Sequence, residues 1–120
     1  MSGLNKVMLI GNVGKDPEVI QLDSGTTLVK FPLATSESFT DKDGNRVDQT
    51  PWHTIVMWRG LAQAAQKLIS KGKQVYIEGK IKTRSYTDKD NATRYVTEIE
   101  AENFILLGKR DDSQKTENQS

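Results

Sequence analysis

The two tryptophans of the chain lie in one short segment, WHTIVMW, at residues 52–58. Successive side chains of a β-strand point to opposite faces, so both indole rings would lie on the same face. The outer set would be Trp52, Thr54, Val56 and Trp58, and the inner set His53, Ile55 and Met57. One face must build the core, and rings left free on the other face can stack on a flat ligand.

A second segment, EGKIKTRSY at residues 78–86, carries a row of cations that ends in an aromatic ring. A solvated strand face usually mixes both charge signs, so a row of one sign points to a ligand. The row comprises, after Glu78, Lys80, Lys82, Arg84 and Tyr86. The other parity carries Ile77, Gly79, Ile81 and Thr83, and we expect those four to face the core.

Aromatic rings interleaved with cations suit unpaired nucleotides. Every base has a π-face, stacking on an aromatic is worth about 1–3 kcal/mol per base, and Lys and Arg follow the phosphates. In a duplex the base faces are already covered. The alternative is that the tryptophans are core residues and the cations a solvated edge; their joint occurrence beside a separate apolar face favours binding.

Patterns for other chemistry fail. The GNVGKD segment has two residues between its glycines, not four, and an aspartate after the lysine, so it is not a phosphate loop. The segment DKDGNRVDQTPW begins like a calcium-binding loop. However, Arg46 occupies the position of its glycine and Trp52 the position of its last ligand, a glutamate, so it is not one. His53 alone makes neither a metal site nor a catalytic set, and a solvated strand face accounts for the stripe of Glu98, Glu100 and Glu102. We predict no enzyme, metal or cofactor.

The composition fits one ordinary globular domain. The chain has 120 residues, a formal net charge of +1 and no cysteine. Disulfides and thiolate metal sites are thereby excluded, and the bulk charge gives no sign of a nucleic-acid partner. The first residues form neither a membrane span nor a secretory or transit leader, and we expect a cytoplasmic protein with no membrane partner.

The elements that must position these residues are mostly strands. The predicted strand over residues 28–38 contains Pro32, which is typical of an edge or bulged strand. Residues 41–51 read as a polar loop or hairpin tip. Leu61, Ala65, Leu68 and Ile69 lie at helical spacing and indicate one helix, whose end Gly72 marks. We predict strands over residues 4–13, 28–38, 52–60, 74–86 and 94–108, a helix over residues 61–71, and a disordered polar tail over residues 109–120.

Five strands with one helix between the third and fourth predict an all-β OB-fold. This is a five-stranded, partly open Greek-key barrel, which would occupy residues 1–108. SH3-like barrels and other small all-β folds compete with this interpretation on element order alone.

Several long segments, in order, resemble the bacterial single-stranded DNA-binding protein family, which also has mitochondrial members. The resemblance covers nearly all of residues 4–108. It is carried by LNKVMLIGNVGKDPE, LATSESF, QTPWHTIVMW, LAQAAQKLISKGKQVYIEGKIKTRSYTDK and YVTEIEAENFILLG.

The resemblance implies an OB-fold protomer of a homotetramer that binds single-stranded DNA regardless of sequence. It would protect the strand in replication, recombination and repair, in association with the nucleoid. The implied stacking rings are Phe39, Trp52, Trp58 and Tyr86. The implied phosphate contacts are Lys6, Lys42, Lys71, Lys73 and Arg84, to which the alternation argument adds Lys82. The implied subunit contacts are His53, Gln74, Tyr76 and Glu78.

The sequence departs from the family at two places. Thr54 stands where a basic residue is common, so one phosphate contact would be missing. The family's Gly/Pro/Gln-rich linker and acidic tip, which recruit repair and replication enzymes, are absent, because the tail is short and balanced in charge. The sequence is then either truncated or a short paralogue, and recruitment is not carried over.

Two other classes of function stay open at this point. One is an interaction factor on an OB-fold that docks other replication proteins, as primosomal restart proteins do, with DNA binding secondary. The other is binding of RNA or oligosaccharide on the same fold.

Overall fold

The computed structural model of the protein describes residues 3–108, which form eight strands and one helix. The predicted tail, residues 109–120, lies outside the described residues. The elements are β1 Val7–Val13, β2 Glu18–Gln21, β3 Thr27–Ala34, β4 Glu37–Thr40, β5 Arg46–Gln49, β6 Trp52–Trp58, α1 Arg59–Leu68, β7 Gln74–Thr87 and β8 Thr93–Leu106.

Five of the strands close into a ring. Their order is β1-β7-β8-β6-β3, and a further pairing of β1 with β3 completes the circle. The pairing of β6 with β8 is parallel and joins only Ile55 to Ile99 and Val56 to Glu100, so the barrel is thinly closed at this seam. Along the chain, the helix lies between the third and fourth of these five strands, β6 and β7, as the element order predicted.

The core fills the inside of this ring and is closed by α1. Ile55 and Met57 of β6 are fully buried, as their parity predicted. Val75 and Ile77 on β7 are also fully buried. The helix contributes two small residues, Ala62 and Ala65, which let its backbone approach the sheet closely; the cluster also includes Val13, Val29, Phe31, Leu33, Ile69, Ile99 and Ala101.

The helix is displaced from its predicted range. Trp58 is still extended, with φ −119° and ψ 148°, and the chain turns into α1 at Arg59, whose φ is 54°. The helix ends at Leu68 because Ile69 returns to an extended conformation and enters the core. Gly72, the predicted stop, lies instead in the following turn with φ 90°.

The expectation that Pro32 marks an edge strand is wrong. Its strand, β3, pairs with β6 on one side and with β1 and β2 on the other. Pro32 lies between the two latter pairings, where its C=O accepts the N–H of Gly14 at 2.9 Å. The N–H and C=O groups of a strand residue point to the same side. At Pro32 that side faces the gap, so the absence of an N–H group removes no hydrogen bond between paired strands.

Two hairpins extend from the barrel. The predicted polar segment, residues 41–51, includes the tip of the β4–β5 hairpin, where Asp41 accepts the N–H groups of Asp43 and Asn45 at 2.9 Å. The second hairpin joins β7 to β8, and Asp88 makes the corresponding contacts in its turn. The sequence had joined β4 to β3 as one long strand.

The β7–β8 hairpin is longer than the barrel, and this corrects two assignments. Its register shifts between Glu78 and Gly79. Beyond this bulge β7 leaves the core while β8 still contributes Ile99 to it, so Ile81 is 47% exposed and Thr83 is exposed, whereas both were predicted to face the core. Glu98, predicted to lie on a solvated face, is buried instead.

No helix within residues 3–108 is long and apolar enough to cross a bilayer.

Gly79 is required at the bulge, and its replacement gives a test of the barrel. A Cβ there would overlap the carbonyl oxygen of Glu100 and lie 2.8 Å from the Cα of Ala101, both of them main-chain atoms. We expect Gly79→Ala to lower the free energy of unfolding by about 1–3 kcal/mol in urea titrations.

The matched control is Gly60→Ala in α1, where a Cβ would meet no atom within 4 Å. It should leave stability unchanged or raise it by less than about 1 kcal/mol, since alanine favours the helix. Equal effects of the two substitutions would contradict this account of the bulge.

Candidate nucleic-acid interface

The outer face of β6 carries the tryptophans, as alternation predicted. Trp52 is 60% exposed, while Trp58 at the other end of the strand is half-buried. Val56, between them, is buried although it lies on this outer face. The cross-strand pairs of this face join β3 to β6 and are Ala34 with Trp52, Pro32 with Thr54, Lys30 with Val56, and Leu28 with Trp58.

A groove of about 380 Å³ lies on this face beside Trp58. Val56 forms part of the apolar floor of this groove, together with Leu28 of β3 and Ile20 of β2. The charged residues that line it come from β3, β7 and β8 and are Lys30, Lys82, Arg84, Glu98 and Glu100. The groove, as defined by these residues, can hold a flat apolar group beside charged ones.

The indole of Trp52 lies at the other end of β6, against the main chain of Gly14. A Cβ at Gly14 would lie 2.9 Å from Cη2 of Trp52, so a larger residue there would displace the ring from this position. The preceding residue, Val13, exchanges main-chain hydrogen bonds with Gly72 and Lys73, at 2.8 and 2.9 Å. These hydrogen bonds fix the turn that carries Lys71 and Lys73 to the end of β1, one residue before Gly14.

The other two predicted rings lie on the hairpins. Phe39 is 46% exposed on β4, in a two-stranded sheet separate from the barrel sheet. Tyr86 is 48% exposed near the end of β7 and pairs with Arg94. The structure therefore gathers Trp58, Lys82 and Arg84 in the groove and leaves Phe39 and Tyr86 as exposed outliers.

The cations of the groove are paired with carboxylates. Arg84 donates from Nε and Nη2 to the two oxygens of Glu98, at 3.2 and 3.3 Å, and Lys30 approaches the same carboxylate at 3.2 Å. Lys82 lies 3.8 Å from Glu100. The row of cations predicted on β7 is thus largely neutralised before any ligand arrives.

These pairs shift the pKa values of the partners. Burial by itself would raise the pKa of the Glu98 carboxyl, but hydrogen bonds from Arg84 and Lys30, with their charges, outweigh it and lower the pKa. The same hydrogen bond raises the pKa of Arg84. Glu98 is therefore ionised at neutral pH although it is only 8% exposed.

Sequence reasoning missed three residues of the groove, Lys30, Glu98 and Glu100, and it did not identify Tyr95 as an exposed ring outside it. The turn at residues 88–92 fixes which residues of β7 and β8 are opposite, and it sets Lys82 opposite Glu98 and Lys80 opposite Glu100. That alignment was available from the DKDNAT turn signal. Tyr95, 73% exposed on the other face of the hairpin, was identifiable only once the core was known to end before it.

The remaining predicted cations lie outside the groove. A hydrogen bond with Glu78 raises the pKa of Lys6 and holds it beside β7. Within residues 3–108, no carboxylate lies within ion-pair distance of Lys42, Lys71 or Lys73.

The residues predicted at subunit contacts are half-buried. His53 shares a hydrogen bond with Oγ1 of Thr35 at 3.0 Å. On the outward parity of β7 the structure places Gln74, Tyr76 and Glu78.

The fold and site together define a class: an OB-fold barrel that presents exposed rings and a charged groove on one sheet face. Across residues 3–108 no group of three His, Cys, Asp or Glu side chains could hold a metal ion. The surface suits a flat ligand that carries negative charge.

Comparison with known proteins identifies the family. Residues 4–107 match the model of the single-strand binding protein family. The protein belongs to that family.

Two bacterial relatives match along most of the chain. Single-stranded DNA-binding protein 1 of Xylella fastidiosa is 42% identical over 98% of this chain and 88% of its own length. The protein of the same name from Chlorobaculum tepidum is 49% identical over 91% of this chain and 68% of its own length.

A solved structure confirms the fold. A Plasmodium falciparum SSB in complex with ssDNA superposes with a TM-score of 0.83 at 32% identity, covering 89% of this chain and 97% of the other. The predicted OB-fold is correct. The prediction that the protein is not an enzyme is also confirmed, because the proteins of this family bind DNA without catalysing a reaction.

The buried ion pairs predict a pH dependence of stability. The pKa of Glu98 is lowered in the folded state from its ordinary value of 4.5, so its contribution is complete above that value and is lost as the pH falls through the folded pKa. We expect Glu98→Gln to lower the free energy of unfolding by about 1.5–3 kcal/mol at neutral pH.

The difference between wild type and variant should shrink below about pH 4.5 in urea titrations across pH, because protonation removes the same charge. A difference that stayed constant from pH 7 to pH 3 would show that Glu98 contributes by packing alone.

Proposed function

We propose that this protein binds single-stranded DNA without regard to sequence. The observation that carries the proposal is that Trp52 is 60% exposed on the outer face of β6, while Ile55 and Met57 fill the core from the inner face. A large indole left in solvent beside a complete core serves a ligand.

The chemistry of this face favours unpaired strands. Trp52 and Trp58 offer stacking surfaces at the two ends of β6, and bases of any sequence can occupy them. Lys82 and Arg84 line the groove beside Trp58. The turn with Lys71 and Lys73 is hydrogen-bonded to Val13, the residue before Gly14, and would supply cations to a strand that passes Trp52. A duplex hides its base faces and gains little here.

The comparisons support the same ligand. The relatives from Xylella fastidiosa and Chlorobaculum tepidum are named single-stranded DNA-binding proteins, and the similar Plasmodium falciparum structure contains ssDNA. The wider role that follows is protection of exposed strands during replication, recombination and repair, in the cytoplasm at the nucleoid. The interaction-factor and RNA or oligosaccharide alternatives receive no comparable support.

Titration with poly(dT) tests the proposal. The tryptophan emission of the wild type should be strongly quenched, and duplex DNA should compete poorly. We expect Trp52→Ala to weaken binding by about 1–3 kcal/mol, the stacking energy of one base. Unchanged emission at low salt would refute the proposal.

Tyr95→Ala provides the control, because it removes an exposed ring from the opposite face of the β7–β8 hairpin. It should bind poly(dT) within twofold of the wild type. If Tyr95→Ala weakened binding as much as Trp52→Ala, the assignment of one binding face would be wrong.

We further propose that the protein is a homo-oligomer, with a tetramer as the expected form. The outward face of β1, β7 and β8 exposes Met8, Ile10 and Ile105 by 63%, 56% and 50%. Ile10, Tyr76 and Ile105 are directly paired across the three strands, so they form a continuous apolar patch. Exposed patches of this kind mark protein interfaces.

The strand edge beside this patch adds a second argument. β1 pairs with β3 only at Asn12 and Val13, so among the residues described its earlier part is bonded on one side alone, to β7. A free edge next to an apolar face is a template for pairing with a second copy. His53, Gln74, Tyr76 and Glu78 are the contacts that we propose for the assembly.

Light scattering tests the assembly. We expect a mass above the monomer for the wild type and a smaller mass for Ile10→Glu, because a charge would be buried in the patch. Val19→Glu is the control: Val19 is a similarly exposed residue on β2, at 46%. A monomeric wild type, or equal masses for wild type and Ile10→Glu, would refute the proposal.

A further inference from the structure

We propose that Glu98 and Glu100 act as a brake on DNA binding, by competing with phosphates for Arg84 and Lys82. The inference rests on the proposed binding of single-stranded DNA. It assigns a role to two carboxylates that a purely attractive site would not contain. The affinity would be set by an exchange of partners within the groove.

Both carboxylates line the same groove as Trp58, Lys82 and Arg84. A phosphate that reached either cation would therefore meet a fixed negative charge at close range. The groove contains three cations and two carboxylates, so its net charge is far smaller than the row on β7 alone would give.

Arg84 uses Nε and Nη2 against the two oxygens of Glu98, which is the bidentate edge that a guanidinium also offers to phosphate. A phosphate that sought the same edge would have to displace the carboxylate. Arg84 can make this exchange, because its side chain is 53% exposed and can turn towards solvent.

Removing Arg84 from a buried carboxylate would be costly if nothing else neutralised it. Lys30 lies 3.2 Å from the same carboxylate, with its side chain only 28% exposed. It can stay with Glu98 while Arg84 turns to the DNA, so the exchange leaves no buried charge unpaired.

The second pair offers a weaker version of the same device. Lys82 and Glu100 are 3.8 Å apart, and their side chains are 59% and 31% exposed. Solvent screens this pair more than the first, so its effect on binding should be smaller.

The opposite role is also physically possible. Glu98 could hold Arg84 in the orientation that DNA needs, in which case its removal would weaken binding. The two roles predict effects of opposite sign, and one set of variants separates them.

The experiment is anisotropy of an end-labelled oligo(dT) with the full chain, from about 50 to 200 mM salt. We expect Glu98→Gln to bind about three- to tenfold tighter at low salt, since a fixed charge near the phosphates is removed. The salt slope should steepen by about 0.7 for each cation that becomes free to neutralise a phosphate on a single strand.

A double-mutant cycle identifies the partner. Arg84→Ala should weaken binding more in the Glu98→Gln background than in the wild type, because only there is Arg84 wholly available to DNA. Glu102→Gln is the matched control: it makes the same charge change on the same strand at an exposed residue outside the groove lining. It should bind within twofold of the wild type.

Each result decides the proposal. Equal or weaker binding by Glu98→Gln, or a smaller cost of Arg84→Ala in its background, would overturn the brake and leave DNA binding intact. A wild type that does not bind oligo(dT) would refute the proposed function, and the brake with it. If circular dichroism shows that Glu98→Gln is unfolded, Glu100→Gln with its Lys82→Ala cycle decides by the same signs.

Discussion

The register of the β7–β8 hairpin is the constraint on which both core and site depend. One alignment places Ile77 and Ala101 in the core and also sets Lys82 opposite Glu98. Because side chains alternate with a period of two, a slip of one residue would exchange these two sets. The bulge at Glu78 and Gly79 marks the point after which β7 leaves the core, while β8 keeps Ile99 in it.

Much of the fold followed from local periodicity. The alternation of WHTIVMW assigned the inner and outer faces of β6 correctly, and the spacing of Leu61, Ala65 and Leu68 identified the helix. These signals depend only on neighbours along the chain, and the sequence contains them in full. The order of the long strands then restricted the topology to few candidates, of which the OB-fold is the observed one.

The errors arose where distant segments decide the outcome. Ile81 has the parity of a core residue, yet the barrel ends before it reaches an opposite wall. Pro32 has the residue type of an edge strand, yet a gap between β1 and β2 accommodates it. Glu98 reads as a solvated carboxylate, and only the folded groove supplies the two cations that allow its burial. None of these neighbours is near in sequence.

Because β6 continues directly into α1, the fluorescence of the two indoles would report different events in the protein. Trp58 is the last strand residue and the helix cap at once, so its ring is fixed to a junction whose next turns are packed in the core. Local breathing of that junction would alter the surroundings of Trp58 and leave those of Trp52 unchanged. Two variants that each retain only one of the tryptophans would therefore distinguish partial opening of the barrel from events at its surface.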